Sequence, residues 1–181
     1  MRSKPSIWLQ AKTFRRVLTK KTVCEVYFAS MKSVVFYPRS VAQTLQPTGS
    51  EVIVSIHDRS QEPAALQDGW KDILRLSFHD MDVAKTDYDL FSEDQAREVI
   101  AFIEKHVDVE RIVVHCNMGV SRSAAVAMFI SDQQERNLFQ QGRAFFHPDL
   151  PAQYNRLVYS TLNRTLWGSA PSAFEVLPEN S

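Results

Sequence analysis

The chain has 181 residues, 44% of them hydrophobic, and its 21 lysines and arginines balance 21 aspartates and glutamates. That length and apolar content suffice for one domain with a buried core, and the zero net charge excludes the overall positive field expected of a nucleic-acid binder. Two cysteines, Cys24 and Cys116, cannot build a disulfide framework, no secretory h-region is present, and the apolar runs fall short of the roughly eighteen residues a membrane span needs. A soluble, cytoplasmic protein with no membrane partner is expected.

Residues 1–30 are basic: Arg2, Lys4, Lys12, Arg15, Arg16, Lys20 and Lys21 all precede the first acid, Glu25, while Ile7, Ala11, Phe14 and Leu18 fall at helical spacing. A transit peptide, a surface-binding helix and a frayed extension all fit this pattern, and the segment is assigned no chemistry. Strands are predicted at Ser33–Tyr37, Glu51–Ile56, Ile73–Phe78 and Arg111–Cys116, where short β-branched or apolar runs end at turn-forming or polar residues. Between the last two, "SEDQAREVIAFIEKH" (Ser92–His106) opens with a capping serine and first-turn acids. It repeats Ala96, Val99, Ile100 and Ile103 on one face, which predicts a helix. A second helix is expected from about Ser121. A third is expected over Ala152–Leu166, with Tyr154, Leu157, Val158, Thr161 and Leu162 in one stripe. This order of elements predicts an α/β sandwich with a mainly parallel sheet.

The most informative stretch is "VVHCNMGVSRSAAVAMFI", from Val113 to Ile130. It reads as a buried strand ending at Cys116, a loop in which Gly119 permits positive φ or close backbone approach, and a helix whose N-terminus points back at the loop. Successive N–H groups converging on one point, added to a helix dipole worth about half a charge, suit an oxyanion. Thiols at helix N-termini or beside a fixed cation ionise well below their usual value of about 8.5, so Cys116 is expected to act as a thiolate. Arg122, six positions on, is placed to give a planar two-pronged contact to phosphoryl oxygens that lysine could not reproduce. Plainer readings stand beside these: a core thiol at Cys116, a strand-end histidine at His115 and a first-turn polar residue at Ser123. His57, His79, His106 and His147 lack ligand spacing, and "HDMDVAKTDYD" (His79–Asp89) lacks the glycine and closing glutamate of a calcium loop.

"HCNMGVSRS" resembles the His-Cys-x-x-Gly-x-Ser-Arg signature of the cysteine-dependent protein tyrosine phosphatase superfamily, in its small dual-specificity-like branch. "LRLSFHDMD" (Leu74–Asp82) and "YNRLVYSTL" (Tyr154–Leu162) are similar to matching elements of small bacterial and phage-type members. The resemblance covers roughly Met31 to Trp167. It implies a three-layer sandwich with a central parallel sheet flanked by helices, formed by a phosphatase domain over residues 31–168 between the 1–30 extension and a 169–181 tail. It also implies hydrolysis of phosphotyrosine, with or without phosphoserine and phosphothreonine, in a phosphorylated protein or peptide, through a cysteinyl-phosphate and without cofactor or metal. Cys116 would be the nucleophile, and the N–H groups of Asn117, Met118, Gly119, Val120, Ser121 and Arg122, with the Arg122 guanidinium, would hold the phosphoryl oxygens. Ser123 would assist departure of the thiolate, and His115 would support the loop from behind. "FHD" resembles the Phe-x-Asp that carries the general acid, which points to Asp80. Asp82 is its rival, while Asp87 and Asp89 read as loop charges. Many relatives carry Ala or Glu where Asn117 and Met118 stand, so the pocket rim is less charged here. A silent phosphate-binding module, a phosphatase of non-protein phosphomonoesters and a sulfur-transferring cysteine loop are the alternatives.

Overall fold

Valine, isoleucine and phenylalanine pack well on a pleated surface, and the runs they dominate form the strands of the computed structural model. It describes residues 32–83, 88–145, 151 and 153–168. In chain order the elements are β1 (Ser33–Pro38), α1 (Arg39–Ala42), β2 (Val52–His57), β3 (Asp72–Ser77), α2 (Glu93–Lys105), β4 (Arg111–Cys116), α3 (Arg122–Gln134), β5 (Asn137–Gln140), β6 (Arg143–Phe145) and α4 (Arg156–Trp167). The strands form one six-stranded sheet in the order β3-β2-β4-β1-β5-β6. β1 to β5 run parallel, and β6 turns back antiparallel on β5. The molecule is thus α/β with a mostly parallel sheet, as the alternation of patterns predicts.

Residues alternate between the two faces of each strand. Val34 and Phe36, Val52, Val54 and Ile56, Leu76, and Ile112, Val114 and Cys116 join one cluster with Ala96, Val99 and Ile103 of α2 and Val158 and Leu162 of α4. Helix α3 is buried continuously from Arg122 to Ile130 because it lies on β1, β4 and β5 and beneath α4. A helix with apolar residues all round is one buried all round. On the opposite face Ile53, Val113, Ser55 and His115 are also buried. The loop from Asp58 to Lys71 is tied down on this side, since Arg39 and Arg75 donate to the carbonyls of Pro63 and Ala64, each at 3.2 Å.

Four strands were expected, and six are formed among the described residues. The pair β5–β6 carries Asn, Gln and Arg among few apolar residues, so no alternation announces it. Its turn is local: Gln141 and Gly142 both have positive φ, 47° and 88°, the backbone of a two-residue hairpin. The expected third helix starts later than its stripe suggested. Asn155 caps it, accepting from the Val158 N–H at 2.9 Å, so Tyr154 lies outside it, and Ala152 lies outside the described residues. Helix α2 keeps its expected limits, with Ser92 and Gln95 closing a reciprocal capping box. The 1–30 segment with Cys24, Asp87, His147 and the 169–181 tail also lie outside the described residues. Among those described, no helix is long and apolar enough to cross a membrane.

Candidate active site

Parallel strands bring their C-terminal ends to one edge of a sheet, and ligands of open α/β folds bind beyond that edge. Here β4 lies between β2 and β1, so the residues following it are flanked by those following its neighbours. Cys116 ends β4, Asp58 follows β2, Phe78 and Asp80 follow β3, and Pro38 closes β1.

The turn from Cys116 to Arg122 is built on its glycine. Gly119 has φ +67°, and a Cβ there would lie 2.8 Å from Pro38 Cδ and closer still to the Tyr37–Pro38 backbone. Both constraints exclude a side chain, so the loop seats directly on the end of β1. The Arg39 N–H donates to the Asn117 carbonyl at 3.2 Å, and Gln140 of β5 donates to the Gly119 carbonyl at 3.2 Å. This curvature turns the Gly119 N–H toward the Cys116 sulfur at 3.3 Å. On the other side, Ser123 Oγ lies 3.2 Å from Sγ. The thiol is free and 1% exposed, and a buried sulfur given two polar contacts differs from a packing cysteine.

Arg122 opens α3 and is 3% exposed. Its Nη1 donates to Asp58 Oδ1 at 2.8 Å and to the Phe78 carbonyl at 2.6 Å, and Nη2 reaches Asp58 Oδ2 at 3.4 Å. Its Nε is buried with no hydrogen-bond partner among the described residues, 3.8 Å from Asp80 Oδ2. A buried guanidinium N–H left without an acceptor is available to an anionic oxygen. Asn117 braces the same corner, its amide donating to Asp58 Oδ2 at 2.6 Å and to Gln61 Oε1 at 2.8 Å. Met118 is 73% exposed at the rim. Beyond Val120, Gln140, Pro151 and Gln153 line a cavity of about 220 Å³. A cavity of about 410 Å³ lies elsewhere, among Ile103, Val107, Leu166 and Trp167, and shares none of these residues.

Both candidate acids reach the site's side of the molecule. Asp80 Oδ1 accepts from Ser121 Oγ at 2.7 Å and from the Asn155 amide at 2.9 Å. Asp82 instead accepts from the backbone N–H of Arg156, at 3.0 Å, in the first turn of α4. Asp89 pairs with Arg59 at 2.7 Å on the surface. Ser121 caps α3 without a side-chain bond to its N–H groups, its hydroxyl being turned to Asp80.

His115 points to the opposite face from Cys116 and is fully buried, with Nε2 2.8 Å from Ser55 Oγ. Burial first, with Arg39, Arg75 and His57 adding to it, pushes its pKa down to about 4. His57 is lowered for the same leading reason. The lowered pKa of His115 favours a neutral imidazole near pH 7, on the sheet face opposite Cys116. No group of three or more His, Cys, Asp or Glu among the described residues is arranged to hold a metal ion.

The structure thus gathers Cys116, Gly119, Ser121, Arg122, Ser123 and Asp80 in one corner, with His115 behind it. It adds Asp58, Asn155, Gln61 and Gln140, which the sequence reading missed. An aspartate directly after a strand neighbouring and parallel to β4 was the available signal for Asp58. For Asn155 it was a capping residue at the start of an amphipathic stripe. Set against family models, curated proteins and solved structures, the chain matches none of them, and its functional reading rests on the residues themselves.

Proposed function

We propose that the chain is a phosphoric monoester hydrolase of the cysteine-dependent protein tyrosine phosphatase kind, acting on phosphotyrosine and in some substrates on phosphoserine or phosphothreonine. The observation that carries this reading is a buried thiol contacted by the Gly119 N–H and Ser123 Oγ, one helical start away from a fixed guanidinium with an unpaired N–H. Core cysteines need neither.

In the proposed reaction the Cys116 sulfur attacks phosphorus in line, forming S–P as the ester P–O bond breaks. Asp80 gives its proton to the departing oxygen, so that no free phenoxide or alkoxide is expelled at neutral pH. Backbone N–H groups of the loop and the Arg122 guanidinium hold the equatorial oxygens as charge builds on them. Water then attacks phosphorus and yields its proton to the Asp80 carboxylate. The S–P bond breaks, inorganic phosphate leaves, and the Ser123 hydroxyl donates to the returning thiolate. Every proton taken in the first half is returned in the second.

The test is turnover of 4-nitrophenyl phosphate and then of phosphopeptides, in the presence of a chelator. Cys116→Ser should abolish turnover while vanadate still binds, and Arg122→Lys should be severely impaired because a point charge cannot replace the fork. Undiminished hydrolysis by Cys116→Ser would overturn covalent catalysis. A wild-type protein that binds vanadate but turns over no ester would instead fit a silent phosphate-binding module.

A further inference from the structure

Asn155 is 2% exposed, and its polar groups reach three parts of the chain. Its side-chain oxygen accepts from the Val158 N–H at 2.9 Å and so caps α4. Its side-chain amide donates to Asp80 Oδ1 at 2.9 Å and to the Met81 carbonyl at 3.4 Å. Its backbone N–H donates to the Ser121 carbonyl at 3.2 Å, at the residue that starts α3. A cap needs only the first of these bonds. The rest tie the segment that carries Asp80 to the loop that carries Cys116 and Arg122.

Asp80 needs such a tie. It lies on an irregular connection beyond β3, and its side chain is partly exposed. The Ser121 hydroxyl holds Oδ1 from the loop side at 2.7 Å, and Asn155 holds the same oxygen from the helix side. With Oδ1 gripped twice, Oδ2 is the oxygen turned toward Arg122, at 3.8 Å from Nε. Next to it, Asp82 Oδ1 accepts the Arg156 N–H, so the N-cap and first residue of α4 hold two residues of one connection.

We infer that Asn155 is a positioning residue for the general acid: its amide fixes which Asp80 oxygen faces the scissile ester, and its cap fixes where that amide stands. The inference rests on the phosphatase reading above. A misplacement of about 1 Å in a reacting group can cost on the order of 10²-fold in rate. Loss of the amide should thus act on proton delivery, and most on esters whose leaving group needs the proton.

The experiment separates the cap from the grip. Asn155→Asp and Asn155→Ser retain good capping residues, so the melting temperature should stay within a few degrees of the wild type. Neither offers Asp80 the amide: aspartate presents an oxygen to an oxygen, and serine is too short to span the gap. With phenyl phosphate, whose leaving group is poor, kcat/KM should fall by about tenfold or more, while with 4-nitrophenyl phosphate kcat/KM, which reports formation of the cysteinyl-phosphate alone, should change by no more than about twofold. Equal losses on the two esters, or none on either, would overturn the positioning role while leaving the phosphatase reading intact. A wild-type protein inactive on both esters removes both together.

Discussion

Asp58 and Arg122 face each other across the ends of β2 and β4, with 2.8 Å and 3.4 Å contacts between carboxylate and guanidinium. The arginine is 3% exposed and the aspartate 20%, so the pair is only partly shielded from solvent. Removing one partner of a fully buried pair costs about 3–5 kcal/mol, and the partial exposure of Asp58 places this pair below that. Asp58→Ala should therefore lower the melting temperature by about 5 °C, at roughly 2–4 °C per kcal/mol for a chain of this size. Arg122, released from its fixed geometry, should also lose grip on the transition state, with kcat/KM on an aryl phosphate down by tenfold or more. A thermal melt and a Michaelis curve decide it, and a variant unchanged in both would make the pair incidental.

Gly119→Ala tests the seating of the loop on β1. The left-handed backbone at φ +67° alone costs an alanine about 1–2 kcal/mol, and the new methyl would drive into the Tyr37–Pro38 backbone, which cannot rotate away as a side chain could. We expect a loss of more than about 2 kcal/mol in urea unfolding. Turnover should be lost as well, because the Gly119 N–H would leave the Cys116 sulfur. Wild-type stability in this variant would mean that the loop can re-seat.

How far these features could be read in advance depended on whether the determining information was local. The strand–loop–helix around Cys116 is encoded within one continuous stretch: apolar β-branched residues to its left, a glycine where φ must be positive, and small apolar residues to its right. Helix α2 carries its own capping box. The hairpin β5–β6 does not declare itself, because Asn137–Gln140 becomes a strand by pairing with the open edge of β1, a fact about distant sequence. Asp58 is likewise anonymous in "SIHDRSQ" until the sheet order sets β2 beside β4. For Asp80 and Asp82, period-two geometry put both on one side and could not separate them. What separated their contacts was the position of α4, whose start donates a backbone N–H to Asp82 and a side-chain amide to Asp80.

His115 makes stability depend on pH. Its pKa is lowered from 6.5 to about 4 in the folded chain, chiefly by burial, so between those values the unfolded chain binds the proton and the folded one does not. Stability from this group is therefore fully present above about pH 6.5 and lost as pH falls toward 4. At 1.36 kcal/mol per unit the loss is of the order of 3 kcal/mol. His57, also lowered, adds in the same direction. Asp72, held down to about 2 by hydrogen bonds from Lys105 and His106, contributes only further into acid. Urea titrations at pH 7.5 and 5 should differ clearly for the wild type and less for His115→Gln, whose amide can still meet Ser55. Equal stability at the two pH values would contradict the buried neutral imidazole.

The last prediction concerns which aspartate is the acid. Asp80 is joined to the Cys116–Arg122 loop through Ser121 at 2.7 Å and stands 3.8 Å from Arg122 Nε, whereas Asp82 is engaged at the start of α4. A proton donor must reach the oxygen that leaves, and only the first arrangement puts a carboxyl beside the groups that would hold the phosphoryl. Asp80→Asn should slow phenyl or alkyl phosphates by about 10²–10⁴-fold and 4-nitrophenyl phosphate much less, because nitrophenolate leaves without a proton. The basic limb of the pH–rate profile should flatten while the acidic limb stays. Asp82→Asn keeps an oxygen that can accept the Arg156 N–H, so stability should change by no more than about a few tenths of a kcal/mol, with the ratio of the two esters unchanged. If the ester ratio moves in Asp82→Asn and stays at the wild-type value in Asp80→Asn, the roles are reversed. In that case the Ser121 and Asn155 contacts to Asp80 are structural ties, and the acid is the residue that must leave the first turn of α4 to act.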